Sequence, residues 1–428
     1  MRRAQAASRP SQTATRGRSQ GSARPVAAAT VRRLERSSAP APRPKARLEY
    51  QLMVLATLAL VAFGLVMVFS ATSASATLGG ENAGAFLERQ AIYACIGIAG
   101  LIALSRFDYR RLRLFAPPLL VGSLALCLAV LAAGMPVNGA RRWFVLGPIS
   151  VQPSELLKLS LALWISVRLA RHPPPRTFGE LLRPIGMIVG LACALIVVEP
   201  DLGTVIAICV MVGATVLVAG APLGLIARAS VLAGGLALTL IYVQPYRRDR
   251  MVAFLNPWSD SQASGYQTVQ SLIGLGSGGL FGRGLGEGVQ KIHYLPEAHT
   301  DMIAAVVGEE LGLIGMLALV ATYAVLTWAG LKIALSCRDR FGKTLAAALT
   351  AMICGQAVIN LAAVLGLAPL TGITLPFVSY GGSSLVVSLL AVGILLNIAS
   401  NHEREPQAQM RGGRRRNGRS PNARTRRR

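Results

Sequence analysis

Apolar residues in this chain fall into long runs, punctuated by short clusters of glycine, proline and charge. None of the runs alternates as a half-exposed strand would. Read against their punctuation, ten runs predict helices, at roughly 51–73, 88–105, 115–134, 154–170, 184–198, 202–219, 224–243, 303–332, 344–366 and 376–399. About 20 apolar residues suffice to cross ~30 Å of hydrocarbon. A bilayer also tolerates no unpaired backbone group, which favours helices over open strands. The pattern therefore predicts an all-α polytopic membrane protein with about ten transmembrane helices, its membrane domain spanning 51–400. One connection, 244–302, is far longer than the rest. A loop of that length is functional or disordered as a rule. Its aromatic and apolar anchors, "FLNPW" and "GYQTVQSLIGLG", favour an ordered segment lying along the membrane. No repeat at a fixed period supports an inverted-repeat transporter.

Charge adds an orientation. The net charge is +25, and the two tails, 1–50 and 402–428, hold twenty-two basic against four acidic residues, +18 of that total. The tails, 1–50 and 401–428, have the low hydrophobicity and high charge of disordered segments. Basic residues near anionic lipid contribute ~1 kcal/mol each at the surface. The tails thus read as cytoplasmic and membrane-associated, and no nucleic-acid partner is expected. With the amino-terminal tail inside, the even connections carry thirteen Lys/Arg, so the positive-inside rule places both termini in the cytoplasm. The six cysteines include no CxxC pair and read as small core residues.

Several motifs sit at the opposite, outer ends of the runs. In "GARRWFVLGPISVQPSELLKL", Arg142 stands at the interface, and Glu155 and Lys158 share one face of the next helix. They are either a structural ion pair or intramembrane functional groups. In "VEPDLGT", Glu199 and Asp201 break one apolar run into two, as a capped hairpin or as acids facing an outer cavity. "GLGSGGLFGRGLGEG" holds a formal GxGxxG, but no strand precedes it, so a dinucleotide site is not expected. "HYLPEAHTDMI" gathers His293, Glu297, His299 and Asp301 where an apolar helix begins. The spacing matches no common zinc pattern, and no metal cage is assigned. Asp301 is either a helix-end carboxylate or a functional one.

Taken together, these stretches resemble the SEDS family (shape, elongation, division and sporulation). The residues that carry the resemblance are "NPWSDSQASGYQ", "QSLIGLGSGGLFGRGLGEGVQKIHYLPEAHTDMIAAVVGEELGLIG", "PLTGITLPFVSYGGSS", "GARRW…QPSELLKL" and "EPDLGT", spread over about 50–400. The "YLPEAHTD" and "GLG" forms look more like the division branch than the elongation branch. Ser261 stands where the family usually has proline, and Met302 where it usually has phenylalanine. Membership implies the SEDS fold with one long extracytoplasmic loop in the bacterial cytoplasmic (inner) membrane, at the division septum. It also implies a peptidoglycan glycosyltransferase that polymerises lipid II, works beside a class B penicillin-binding transpeptidase and associates with other divisome proteins. The family's essential acidic residue falls on Asp301.

The implied chemistry is consistent with the residues. A sugar hydroxyl must lose its proton as it attacks an anomeric carbon, and one positioned carboxylate can take it, a role worth typically 10²–10⁴-fold. The diphosphate is already a competent leaving group, so the carboxyl pair of glycoside hydrolysis is not needed. It needs positive charge, which Arg142, Lys158 or a divalent cation (Mg or Mn) could supply. The expected site is thus Asp301 as base, with Arg142, Lys158, Lys291, Glu297 and His299 as substrate contacts. Glu155, Asp201, Glu309 and Glu310 are expected to be structural polar groups inside the membrane domain. Glu309 and Glu310 lie ~12–14 Å along the helix from Asp301, at ~1.5 Å per residue. Two other readings share the substrate or the setting: a lipid II flippase without chemistry, and a divisome scaffold.

Overall fold

The computed structural model describes residues 46–416, apart from 78–82, 138, 148, 264 and 293. Most of the two basic tails and His293 therefore lie outside the described residues. The helices are α1 (Ala46–Thr77), α2 (Ala83–Arg106), α3 (Leu112–Ala133), α4 (Pro153–Arg171), α5 (Phe178–Leu181), α6 (Met187–Val198) and α7 (Leu202–Val218). They continue with α8 (Leu223–Val243), α9 (Pro245–Leu255), α10 (Tyr266–Ser277), α11 (Ile303–Ser336), α12 (Arg340–Val364) and α13 (Gly382–Arg416). Every predicted run contains a helix, although the last begins at Gly382 and not at 376, after the turns of "PFVSYG". Among the described residues eight spans are long and apolar enough to cross a membrane by themselves. The two remaining runs are α7, with 17 residues, and α4, which carries Glu155, Lys158, Arg168 and Arg171. Both are buried by neighbours, α7 against α12 and α4 against α3 and α12.

Helix ends follow their local chemistry. Pro153 opens α4 and Pro245 opens α9, where a missing N–H costs nothing. Asp201 caps α7 by accepting from Thr204 N at 3.0 Å, and Asp339 caps α12 by accepting from Gly342 N at 3.2 Å. Inside the bundle α2 lies along α13, and Gly393 lets the Leu101 backbone approach it closely. α12, and α13 as far as Asn401, are mostly buried, whereas α8 buries only Leu225.

Two features of the connections at the Asp301 end go beyond the predicted runs. Residues 135–151 form a three-stranded antiparallel sheet of β1 (Met135–Val137), β2 (Ala140–Leu146) and β3 (Ile149–Val151). Trp143 pairs with Met135, and Phe144 with Val151. The long connection contributes α9 and α10, so it is ordered over much of its length.

The most consequential departure from regularity lies within α11, at Gly312 (φ 66°, ψ −160°). In an unbroken helix Leu313 N would donate to Glu309 O and Ile314 N to Glu310 O. Instead Leu313 N donates to Gly279 O at 2.9 Å and Ile314 N to Leu280 O at 3.2 Å. The two vacated carbonyls, Glu309 O and Glu310 O, accept from Arg283 N and Gly284 N, both at 3.0 Å. Two ladder bonds are exchanged for four bonds to the glycine-rich loop. The same loop is held by side chains. Val289 N and Gln290 N donate to the Glu309 carboxylate at 2.9 and 3.1 Å, and Arg283 lies 3.7 Å from it. Lys291 Nζ donates to Glu310 Oε1 at 2.7 Å and to Ser70 Oγ on α1 at 3.1 Å.

A Cβ at position 312 would collide with Gly282 N and the Leu280 carbonyl, in a conformation L-residues avoid. Gly312→Ala is therefore expected to destabilise the fold by about 1–3 kcal/mol, the range for such backbone strain. A lowered unfolding temperature in detergent is the measurement.

Candidate functional site

The site builds up around Asp301, which sits in the turn just before α11 rather than inside it. Its backbone is fixed by Asn360 of α12, whose Nδ2 donates at 2.8 Å to Asp301 O and also, at 2.8 Å, to Ile373 O. One amide thus ties the start of α11 to the connection before α13. Thr300 Oγ1 donates to Asp301 Oδ1 at 3.3 Å and to Glu297 Oε2 at 2.9 Å. On the other side stands Arg250 of α9. A Cβ built on Gly372 would lie 4.0 Å from both Arg250 Nη1 and Asp301 Oδ2. The guanidinium and the carboxylate therefore face the same glycine, whose bare backbone leaves the space between them open. Arg250 is itself held, donating from Nη1 to Leu370 O at 3.2 Å and stacking on the Tyr246 ring at 4.7 Å.

Burial and the nearby charge of Glu297 push the Asp301 carboxyl up to about 6, with Arg250 opposing the rise. His299 packs edge-on to Phe86 and tilted against Tyr380, at ring separations of 5.2 and 5.6 Å. Its carbonyl accepts from Tyr380 N at 2.9 Å. Burial lowers the His299 pKa, which keeps the ring neutral at pH 7. Glu297 is exposed and left-handed (φ 55°). These neighbours shape the turn that presents Asp301.

A second group of cations adjoins the first. Arg142, on β2, donates from Nε to Glu199 O at 2.6 Å and from Nη2 to Pro200 O at 2.8 Å. Arg247, one turn before Arg250 on α9, donates to Val197 O at 3.1 Å. Both cover the carbonyl end of α6, where positive charge is favourable. The next turn, at Gly203, packs against Thr371 and Ile373, beside Gly372. Arg142, Arg247 and Arg250 thus run as an arc from the α6–α7 turn to Asp301. Under that arc Glu199 is fully buried, with neither carboxylate oxygen hydrogen-bonded in good geometry. Burial first, then the charge of Asp201, pushes it up to about 7 against the pull of Cys127 and Arg142.

Lys158 and Lys291 are placed elsewhere. Lys158, 2% exposed, donates to Glu155 Oε1 at 2.9 Å and to Gln356 Oε1 at 2.5 Å. Lys291, 3% exposed, is spent on Glu310 and Ser70, and the Glu309 carboxylate on the amides of Val289 and Gln290. Asp201 accepts from Thr204 N and, at 2.8 Å, from Thr204 Oγ1. Arg247, Arg250 and Asn360 are the site residues that sequence reasoning passed over. Arg250 had a signal, since positive charge is unusual on the outer side; Asn360 had none. Among the described residues no three His, Cys, Asp or Glu side chains converge, and His293 lies outside them.

Comparison with known proteins shows the family. A family model for FtsW, RodA and SpoVE, described as "Cell cycle protein", matches residues 50–404. The chain belongs to the FtsW/RodA/SpoVE family. A relative from Geobacter metallireducens, named a probable peptidoglycan glycosyltransferase FtsW, is 40% identical over 370 residues, 83% of this chain and 96% of that protein. Stage V sporulation protein E of Bacillus subtilis is 40% identical over 81% of this chain and 96% of its own length. Among solved structures, a chain of a peptidoglycan synthase complex that coordinates polymerization and crosslinking superposes with a TM-score of 0.67 at 30% identity. It covers 82% of this chain and 97% of that one. Thermus thermophilus RodA gives 0.60 at 30% identity, over 82% of this chain and 96% of its own. The family's architecture, and not only its motifs, is therefore present.

The buried position of Lys158 separates two roles by experiment. Lys158→Met leaves the Glu155 carboxylate buried without its cation, a loss of about 3–5 kcal/mol. A marked fall in unfolding temperature is expected; unchanged stability with a raised KM would instead make Lys158 a substrate ligand.

Proposed function

We propose that this chain is a peptidoglycan glycosyltransferase that polymerises lipid II, with Asp301 as the general base. The observation that carries the reading is the pairing of Asp301 and Arg250 across the bare backbone of Gly372 at one end of a membrane bundle. A base and a fixed guanidinium on either side of an open position suit an acceptor hydroxyl and a lipid-borne diphosphate. The acceptor oxygen bonds to the anomeric carbon as its proton passes to Asp301. The anomeric carbon–oxygen bond to the diphosphate breaks, and undecaprenyl diphosphate leaves with the electron pair. Arg250, with Arg142 and Arg247 behind it, offsets the charge that builds on the leaving group. The raised carboxyl suits the role, since a base titrating near the working pH combines ionisation with proton affinity.

The positive-inside pattern supports an outer position for Asp301 and cytoplasmic termini. The division-type relatives support a place at the septum, among divisome proteins. The synthase-complex neighbour supports a class B penicillin-binding transpeptidase as partner, coupling strand growth to cross-linking.

Detergent-solubilised protein given labelled lipid II is expected to form glycan strands. Failure to form them in the presence of the partner would favour a flippase or a scaffold. Asp301→Asn should lower the rate by about 10²–10⁴-fold. It should not lower the unfolding temperature at neutral pH. A carboxyl near 3.8 in the unfolded chain and about 6 in the fold makes ionised Asp301 destabilising as pH rises through that window, and the amide removes this cost. In the parent enzyme the rate should climb through about pH 6 and level off above it, because only the ionised form accepts the proton. Arg250→Ala removes the opposing charge, so its acid limb should move to higher pH, while Arg250→Lys should keep it. Chelation tests whether a divalent cation accompanies the diphosphate: with guanidiniums in that role, the rate holds.

A further inference from the structure

At the opposite, basic end of the bundle a cleft of about 410 Å³ opens where α3 begins, α4 ends and α11 turns into α12. Its walls carry four arginines, Arg113, Arg171, Arg338 and Arg340, around Asp339, over an apolar floor of Val167 and Ala170. Asp339 does not neutralise them. Its Oδ2 accepts from Arg113 Nη2 at 2.6 Å, from Tyr109 Oη at 3.3 Å and from Gly342 N at 3.2 Å, so it is consumed in capping α12 and fixing Arg113. Arg113 is further held over the Phe341 ring at 4.6 Å, and its buried Nε lacks a hydrogen-bond partner. Arg171, Arg338 and Arg340 are exposed and have no ion pair among the described residues. The cleft thus holds three unmatched guanidiniums and the start of a 25-residue helix.

The surroundings suggest what fills it. Leu114 and Phe115, next to Arg113, are 74% and 55% exposed, and Leu335, at the end of α11, is 64% exposed. In a membrane-spanning bundle these side chains face acyl chains. A ligand bound here would have its charge among the arginines and its tail along these residues.

We propose that the cleft is a binding site for the phosphate headgroup of an anionic phospholipid. A guanidinium fork matches a phosphodiester bidentately, and the volume exceeds what a bare phosphate would occupy. This site is remote in sequence and in the fold from Asp301, and it stands whether or not the polymerase reading does.

The test uses the full chain in detergent, with phosphatidylglycerol retention followed by native mass spectrometry and phosphatidylcholine as the neutral comparison. The parent protein is expected to retain phosphatidylglycerol preferentially. Combining Arg171→Gln, Arg338→Gln and Arg340→Gln should weaken retention about a hundredfold, ~2.8 kcal/mol at ~1.4 kcal/mol per factor of ten. Arg176→Gln, Arg183→Gln and Arg228→Gln, an equal loss of charge elsewhere on the same end, should leave it unchanged. The three cleft substitutions to Lys keep the charge and should retain most of the binding, which separates charge from folding, as does a matched unfolding temperature. Equal retention of phosphatidylcholine, or an equal loss in the control triple, would overturn the proposal. So would displacement of the lipid by inorganic phosphate, which would assign the cleft to a free anion, or by polyglutamate, which would assign it to an acidic peptide.

Discussion

A helix inside hydrocarbon has no water to satisfy a broken backbone, so any interruption must be repaired by protein. The break at Gly312 is repaired by threading residues 279–284 into the ladder of α11. Much of the Asp301 end of the molecule depends on that exchange. It fixes where the first segment of α11 points, and therefore where Asp301, two residues before its start, is presented. It also explains two adjacent buried carboxylates: Glu309 holds the loop's amides, and Glu310 holds Lys291 and Ser70. A neutral pair at these positions would leave Lys291 buried and unpaired, the more costly arrangement.

The arginines of the Asp301 end do two things at once. Arg142, Arg247 and Arg250 each donate to a backbone carbonyl, so their positions are set before any ligand arrives. Carbonyl acceptors are dipoles, not charges, so most of the positive potential survives. A preorganised cation of this kind costs little reorganisation when negative charge develops beside it. Arg283 and Lys291, on the same long connection, face carboxylates instead. The connection thus divides its cations between holding the fold and facing the site.

Much of this was legible in the sequence because a bilayer imposes a long, coarse signal. Ten apolar runs could be placed to within a few residues, and Asp301 stood out as a carboxylate at a hydrophobic boundary. The sheet at 135–151 was not legible: β1 and β3 are three residues each, too short for alternation to register. Lys158 and Lys291 show the limit for charges. A buried lysine must be paired, but the sequence does not say that Gln356 or Ser70 will arrive from a distant helix. Arg250 was visible as a cation on the unusual side, yet its meeting with Asp301 depends on Gly372, more than a hundred residues away in sequence. Asn360 resembled any polar residue in a helix, and only its two carbonyl partners give it meaning.

The threaded loop also has a consequence for synthesis. Residues 279–291 leave the ribosome before α11, yet they complete it. The loop's glycine amides have no partners in α11 until that helix has been made. Until the loop docks, α11 exposes the unmet groups around Gly312 to lipid, which disfavours its release as a lone span. The break therefore ties membrane release of α11 to assembly of its surroundings, giving the biogenesis machinery a reason to retain that segment until its partner loop has docked.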